Sequence, residues 1–153
     1  MKKMYLIVLM VVIPLFLLFA KEQITNFEDL MNKLNSGEEV RIIMHYGDCQ
    51  LISDNKISVA PRAIGGMSID TYEYFAKGSI RNKLAFVAFS ESKLINMRDF
   101  VINYVKVKIT SDDKVRIVAQ YVNPKTYEIE MNESFYTEIN DKKNDGAVYL
   151  YTD

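Results

Sequence analysis

The only histidine and the only cysteine of the chain lie four residues apart, as His45 and Cys49 in the stretch MHYGDCQL. Asp48 precedes the cysteine, so the three residues could form a metal site, a thiolate–imidazole pair or an ordinary strand end. A structural zinc site needs four ligands, and the sequence offers no second histidine or cysteine. Nucleophilic catalysis needs the thiol within hydrogen-bond reach of its base, which this spacing allows but does not imply. We therefore predict no metal and no other cofactor, and a Cys49 that is a free thiol, a buried residue or half of an intermolecular bridge.

Paired carboxylates are the other candidates for chemistry, among them Asp70 with Glu73 and Glu128 with Glu130. A glycosidase needs two carboxylates about 5–10 Å apart across a cleft, and spacing along a strand does not establish that distance. Because the chain has 20 acidic residues, solvated surfaces explain these pairs more simply. We predict that the protein is not an enzyme. The alternative is a carboxylate-dependent hydrolase that acts on envelope or host glycans through two of these four residues.

The first 20 residues, MKKMYLIVLMVVIPLFLLFA, join two lysines to an apolar run. This is the pattern of a secretory signal peptide, so we predict cleavage before Lys21, with an uncleaved N-terminal anchor as the alternative. The protein is then secreted or periplasmic, with a single domain over residues 21–153. Lys2 and Lys3 account for two of the 19 basic side chains, so the remaining chain is acidic. That charge argues against nucleic acid as a partner, and loss of the leader argues against stable membrane insertion.

One amphipathic helix is predicted in ITNFEDLMNKLNSG, residues 24–37. Thr25 and Glu28 stand at the spacing of a capping box, and Gly37 can take the left-handed conformation that often ends a helix. The apolar side chains recur at the helical period, which predicts one face packed on a core. These residues are Phe27, Leu30, Met31 and Leu34.

After Gly37 the apolar pattern changes to the alternation of strands. The best hairpin joins FVINYVKVKIT to VRIVAQYV through the turn-forming SDDK. Strands do not alternate with helices, which disfavours a parallel sheet. We predict a mainly β fold, an antiparallel barrel or sandwich of seven to eight strands with one N-terminal helix.

The strands are rich in aromatic residues: the chain has 10 tyrosines and 8 phenylalanines but no tryptophan. A barrel could enclose an apolar ligand in a cavity lined by Tyr72, Phe86, Tyr104 and Tyr121. Filling of a solid core explains the same residues more simply. A solid core with a flat aromatic patch would instead favour a protein partner.

The order of segments resembles the VirK family of small exported, virulence-associated proteins. The resemblance rests on TNFEDLMNKLNSGEEVR, IIMHYGDC, GGMSIDTYEYF, AFSESKL, the hairpin around SDDK, NPKTYEI and FYTEINDKKNDGAVYLY. It implies no catalytic residues. It also implies that the cysteine ending the first strand pairs with a second cysteine in an F-x-C-x-I context, where this chain has Thr137 in FYTEI. Cys49 and Thr137 are then expected to be neighbours.

Together these observations predict a secreted or periplasmic, non-enzymatic binding protein of the VirK type. The sequence leaves open whether it binds a small apolar ligand or a protein partner.

Overall fold

The computed structural model of the protein describes residues 21–53 and 56–152, so the predicted signal peptide lies outside the described residues. No helix in the described part of the chain is long and apolar enough to cross a membrane. The helix is α1 (Phe27–Asn35), and a 3-10 turn spans Tyr46–Asp48. The strands are β1 (Gln23–Ile24), β2 (Val40–His45), β3 (Gln50–Ser53), β4 (Lys56–Ser58), β5 (Ile64–Ser68), β6 (Glu73–Phe75), β7 (Phe86–Asn96), β8 (Phe100–Thr110), β9 (Lys114–Val122), β10 (Ile129–Glu138) and β11 (Val148–Thr152).

The strands form two antiparallel sheets. The smaller sheet has the order β1-β11-β2-β5, and the larger has the order β4-β3-β10-β9-β8-β7-β6. The prediction of a mainly β, antiparallel fold with one helix is confirmed. Of the two predicted architectures, barrel or sandwich, the barrel is wrong, because the described strands form two sheets and do not close into a ring. The expected number of seven to eight strands is also wrong, since the described residues form eleven. The additional strands are short segments of two to five residues, too brief to show a clear alternation, and all but β3 lie at the edge of a sheet.

Helix α1 packs its predicted apolar stripe into the core, with Leu30 fully buried. Its cap is Asn26 rather than Thr25: the Asn26 carboxamide oxygen accepts a hydrogen bond from the Asp29 amide at 2.9 Å. The helix start is tied to the turn between β8 and β9, since the Phe27 amide donates to the Asp113 carboxylate at 2.6 Å. Gly37 ends the helix with a positive φ of 78°, as its position predicts.

The core lies between α1, the smaller sheet and the inner face of β7–β10. That inner face divides in two. We call the part within the core the covered half; it consists of Val87, Phe89, Val107, Ile109, Val115, Ile117 and Phe135, all buried. The same strands continue towards the β7–β8 turn into what we call the open half; it consists of Glu91, Lys93, Ile95, Asn103, Val105, Tyr121, Met131 and Glu133, which solvent reaches.

Candidate functional site

Cys49 follows the 3-10 turn and points into the core, where it is 9% exposed. Its thiol donates a hydrogen bond to the His45 carbonyl oxygen at 3.4 Å. Burial, and next the negative charge of Asp48, raise the pKa of Cys49 to about 11, and a hydrogen bond with the Thr137 side chain opposes part of that rise. The sulfur is therefore a neutral thiol at neutral pH, which is a poor nucleophile and a poor metal ligand.

The contacts of the His45 imidazole differ from those of this thiol. The imidazole is at the end of β2 and packs on the Tyr149 ring, with the ring centroids 5.0 Å apart. Its Nδ1 is 3.8 Å from the Asp48 carboxylate, too far for a short hydrogen bond. Among the described residues no three histidine, cysteine, aspartate or glutamate side chains gather in a way that could hold a metal ion. These contacts therefore do not support a thiol–imidazole pair or a shared metal site at His45 and Cys49.

Cys49 and Thr137 are neighbours across two strands. Gln50 is paired with Tyr136 in the β3–β10 ladder, which places the preceding residue, Cys49, beside Thr137. The hydrogen bond between their side chains agrees with the proximity that the family resemblance implied. The Thr137 hydroxyl also accepts a hydrogen bond from the Ala147 amide at 2.9 Å, so it links the end of β10 to the segment before β11.

The four aromatic residues predicted to line one cavity lie in three places. Phe86 and Tyr104 are on the outer face of the larger sheet, where Phe86 stacks on Phe75 with centroids 4.8 Å apart. Tyr72 lies against α1 and donates a hydrogen bond to the Leu34 carbonyl oxygen at 3.2 Å. Tyr121 is in the open half of the inner face. The four side chains therefore do not line one common cavity.

Tyr121 instead lines a depression of about 330 Å³ that we call the apolar groove. Its floor is the open half of the inner face, and its rim is the segment that precedes β5. The lining residues are Tyr46, Pro61, Ala63, Asn103, Val105, Ala119, Tyr121, Met131, Glu133 and Phe135. Strand alternation predicts the floor residues, but Tyr46 and Pro61 come from a turn and a loop, whose position depends on distant contacts.

Tyr46 stands at the boundary between the covered half and the apolar groove. Its ring contacts the Phe135 ring, with centroids 4.8 Å apart, and its hydroxyl is 3.9 Å from the Met44 sulfur. Burial is the main reason that the pKa of Tyr46 is raised to about 12, with smaller contributions from Cys49 and Tyr121. An un-ionised phenol thus closes one end of the groove at neutral pH.

The carboxylates considered for hydrolysis lie in two separate regions, Asp70 and Glu73 around the start of β6 and Glu128 and Glu130 around the start of β10. Glu73 is in β6 and Glu130 in β10, four strands apart in the larger sheet, a separation of about 19 Å at the usual strand spacing. The Glu130 carboxylate accepts a hydrogen bond from Asn123 at 2.9 Å, and that of Glu128 accepts one from Thr126 at 3.2 Å. Both hydrogen bonds are exposed and lie at the β9–β10 turn, so no carboxylate of this pair shares a cleft with Glu73.

Comparison with known proteins gives one family. The VirK protein family profile matches residues 23–127, a range that ends before β10. The crystal structure of a VirK family protein from Legionella pneumophila is similar in fold, with a TM-score of 0.62 at 13% sequence identity over 84% of this chain and 97% of that one. No match was found among curated proteins. The structural likeness therefore shows the fold and leaves the activity to be argued from this chain.

Proposed function

The chain belongs to the VirK family, and from that premise we propose that it is an exported, non-enzymatic binding protein whose apolar groove holds an apolar group. The single observation that carries the proposal is that the half-buried side chains of Val105, Tyr121 and Met131 line one depression of the sheet surface together with Tyr46. Grooves that combine aromatic and aliphatic walls with few polar groups are typical of ligand sites.

The groove's size and polarity narrow the ligand class. A volume of about 330 Å³ is at the lower end for sites that hold small molecules, about 300–1,000 Å³. The groove is therefore suited to an alkyl chain or one or two rings. Asn103 and Glu133 supply the polar contacts, and the Glu133 carboxylate favours a neutral or cationic neighbouring group over an anionic one.

The non-enzymatic part of the proposal is supported by the state of the reactive residues. The Cys49 thiol is buried and protonated at neutral pH, and the His45 ring is turned towards Tyr149. Neither residue lines the apolar groove. Export is supported by the apolar leader of residues 1–20 alone.

The test is titration of the exported protein with the uncharged fluorescent probe N-phenyl-1-naphthylamine, which is matched to a groove that disfavours anions, compared between two matched variants. Tyr121→Ala removes a ring from the groove, and Tyr104→Ala removes the same ring from the neighbouring strand on the opposite face. We expect saturable binding by the wild type and by Tyr104→Ala, and an affinity at least about tenfold lower for Tyr121→Ala, the effect of losing about 1.4 kcal/mol of contact. Equal affinities for the two variants, or no saturable binding, would contradict the proposal.

A further inference from the structure

Strand β5 forms an edge of the smaller sheet. It pairs antiparallel with β2, from Ile64 opposite His45 to Ser68 opposite Arg41, and with no other strand among the described residues. All five residues of β5 line a depression of about 490 Å³. Because successive side chains point to opposite faces, a depression that touches all five residues faces the backbone edge of the strand.

The far wall of this depression belongs to β7 of the larger sheet, through Glu91 and Lys93. We call the space between β5 and these two residues the edge groove. It lies beside the apolar groove but is distinct from it, since the segment that leads into β5 passes between them and no residue lines both.

The hydrogen-bond register decides which backbone groups of β5 face the edge groove. The Ile69 amide donates to the Val40 carbonyl oxygen at 2.8 Å, and the Tyr46 amide donates to the Ala63 carbonyl oxygen at 3.0 Å. In an antiparallel pair, alternate residues direct both backbone groups to the same neighbour. The N–H and C=O groups of the residues between, Ile64, Gly66 and Ser68, therefore point away from β2 and into the edge groove.

Few side chains shield these outward-pointing backbone groups of β5. Edge strands usually carry lysine, proline or inward charges that prevent pairing with another chain, whereas β5 reads IGGMS. Gly65 and Gly66 add no side chain over the backbone. At Gly65 this is required by the fold, since a Cβ there would lie 2.8 Å from the Tyr46 ring.

The charges around the edge groove also indicate what kind of ligand it can bind. Glu91 and Lys93 form an ion pair at 2.9 Å, so that wall requires no counter-charge. Asp70 and Arg41 border the Ser68 end, again one of each sign. The groove is therefore complementary to an uncharged ligand that offers alternating hydrogen-bond donors and acceptors, which describes the backbone of an extended peptide.

We propose that the edge of β5 binds an extended segment of a partner polypeptide as an additional strand of the smaller sheet. Such strand addition obtains affinity from backbone hydrogen bonds and specificity from alternate side chains. The segment would present about five residues, with apolar side chains towards the exposed Ile64 and the half-buried Ile43. The depression of about 490 Å³ and its balanced charges suit a short extended segment, so we assign the site to one flexible segment of a partner rather than to β5 of a second copy.

The test begins with a random heptapeptide library, from which peptides are selected on the exported protein and then synthesised. Ser68→Pro removes one backbone donor that points into the groove without removing a hydrogen bond to β2, and proline is tolerated at such edge positions. Ser68→Ala is the matched control, since it keeps the N–H. We expect the selected peptides to bind Ser68→Ala like the wild type and Ser68→Pro about five- to tenfold more weakly, the effect of one lost hydrogen bond.

Amide hydrogen exchange of the wild-type complex provides a readout that does not depend on any variant. Strand addition should slow exchange at the amides of Ile64, Gly66 and Ser68, the groups that point into the groove. Protection elsewhere, equal affinities for the two Ser68 variants, or a library that yields no binder would overturn the inference. Because Tyr121→Ala should leave peptide binding unchanged, failure of the apolar groove and failure of the edge groove can be distinguished.

Discussion

The covered half and the open half of the inner face lie on the same four strands but contact different surroundings. In the covered half, residues such as Ile117 and Val107 are 0% exposed because α1 and the smaller sheet lie over them. In the open half, Tyr121 and Met131 follow the same alternation but reach solvent. The two halves thus separate burial that stabilises the fold from apolar surface that remains available for binding.

The largest expected effect is the difference between one substitution in each half. Ile117→Ala removes a side chain with no access to solvent and leaves a cavity, so we expect the free energy of unfolding to fall by about 2–5 kcal/mol. Ile95→Ala makes the same chemical change in the open half, where water can fill the space, and should cost less than about 1.5 kcal/mol. Urea unfolding of both variants measures the contrast. Equal losses would show that the open half is also part of the packed core.

The second prediction concerns the covered end of the sheet, where β3 meets β10. Thr137→Cys should form a disulfide with Cys49, because directly opposed residues have the Cα separation that a disulfide needs. We expect stabilisation by about 2–4 kcal/mol, measured as the difference in free energy of unfolding between oxidised and reduced protein. Thr137→Ser is the control, since it retains a hydroxyl for Ala147. Two titratable thiols after oxidation would contradict the expected pairing.

The parts of the fold that the sequence predicts well are those whose pattern is long. The apolar stripe of α1 and the alternation in β8 and β9 extend over nine or more residues, and each forms the predicted element. The helix cap was misplaced by one residue because Thr25 and Asn26 are both residue types that cap helices well, and in the structure the Asn26 side chain accepts the hydrogen bond from the Asp29 amide. The barrel was wrong because closure depends on which edge strands meet, a long-range property that periodicity does not contain.

The candidate sites likewise combine features that the sequence pattern predicts with features that depend on long-range contacts. Alternation places Tyr121 on a face, but it does not tell which part of that face another element covers. Tyr104, on the neighbouring strand, also stands between a side-chain amide and a valine in the sequence, but it lies on the opposite face of the sheet. The edge groove was not predicted at all, because Glu91 and Lys93 approach β5 only through the packing of the two sheets. The glycine pair at positions 65–66 is compatible with a bend as well as with a bare strand edge, so it does not by itself predict the groove.

The smallest expected effect lies at Tyr46, the boundary between the two halves, and appears only at high pH. The pKa of Tyr46 is raised from 10.0 to about 12 and that of Cys49 from 9.0 to about 11, mainly by burial. In each case the folded state retains the proton more tightly than the unfolded state. Their contribution to stability is therefore complete below about pH 9 and is lost as the pH rises towards 12.

Unfolding by urea at a series of pH values from about 8 to 11 measures this loss. Tyr46→Phe keeps the ring against Phe135 but removes the ionising group, so its free energy of unfolding should fall less steeply with pH than that of the wild type. Tyr104→Phe makes the same change on the outer face and serves as the control. If Tyr46→Phe follows the wild-type slope, the phenol ionises as readily in the folded state as in the unfolded one. The Tyr46 end of the apolar groove would then be open to water, and the boundary between the halves would lie deeper, at Phe135.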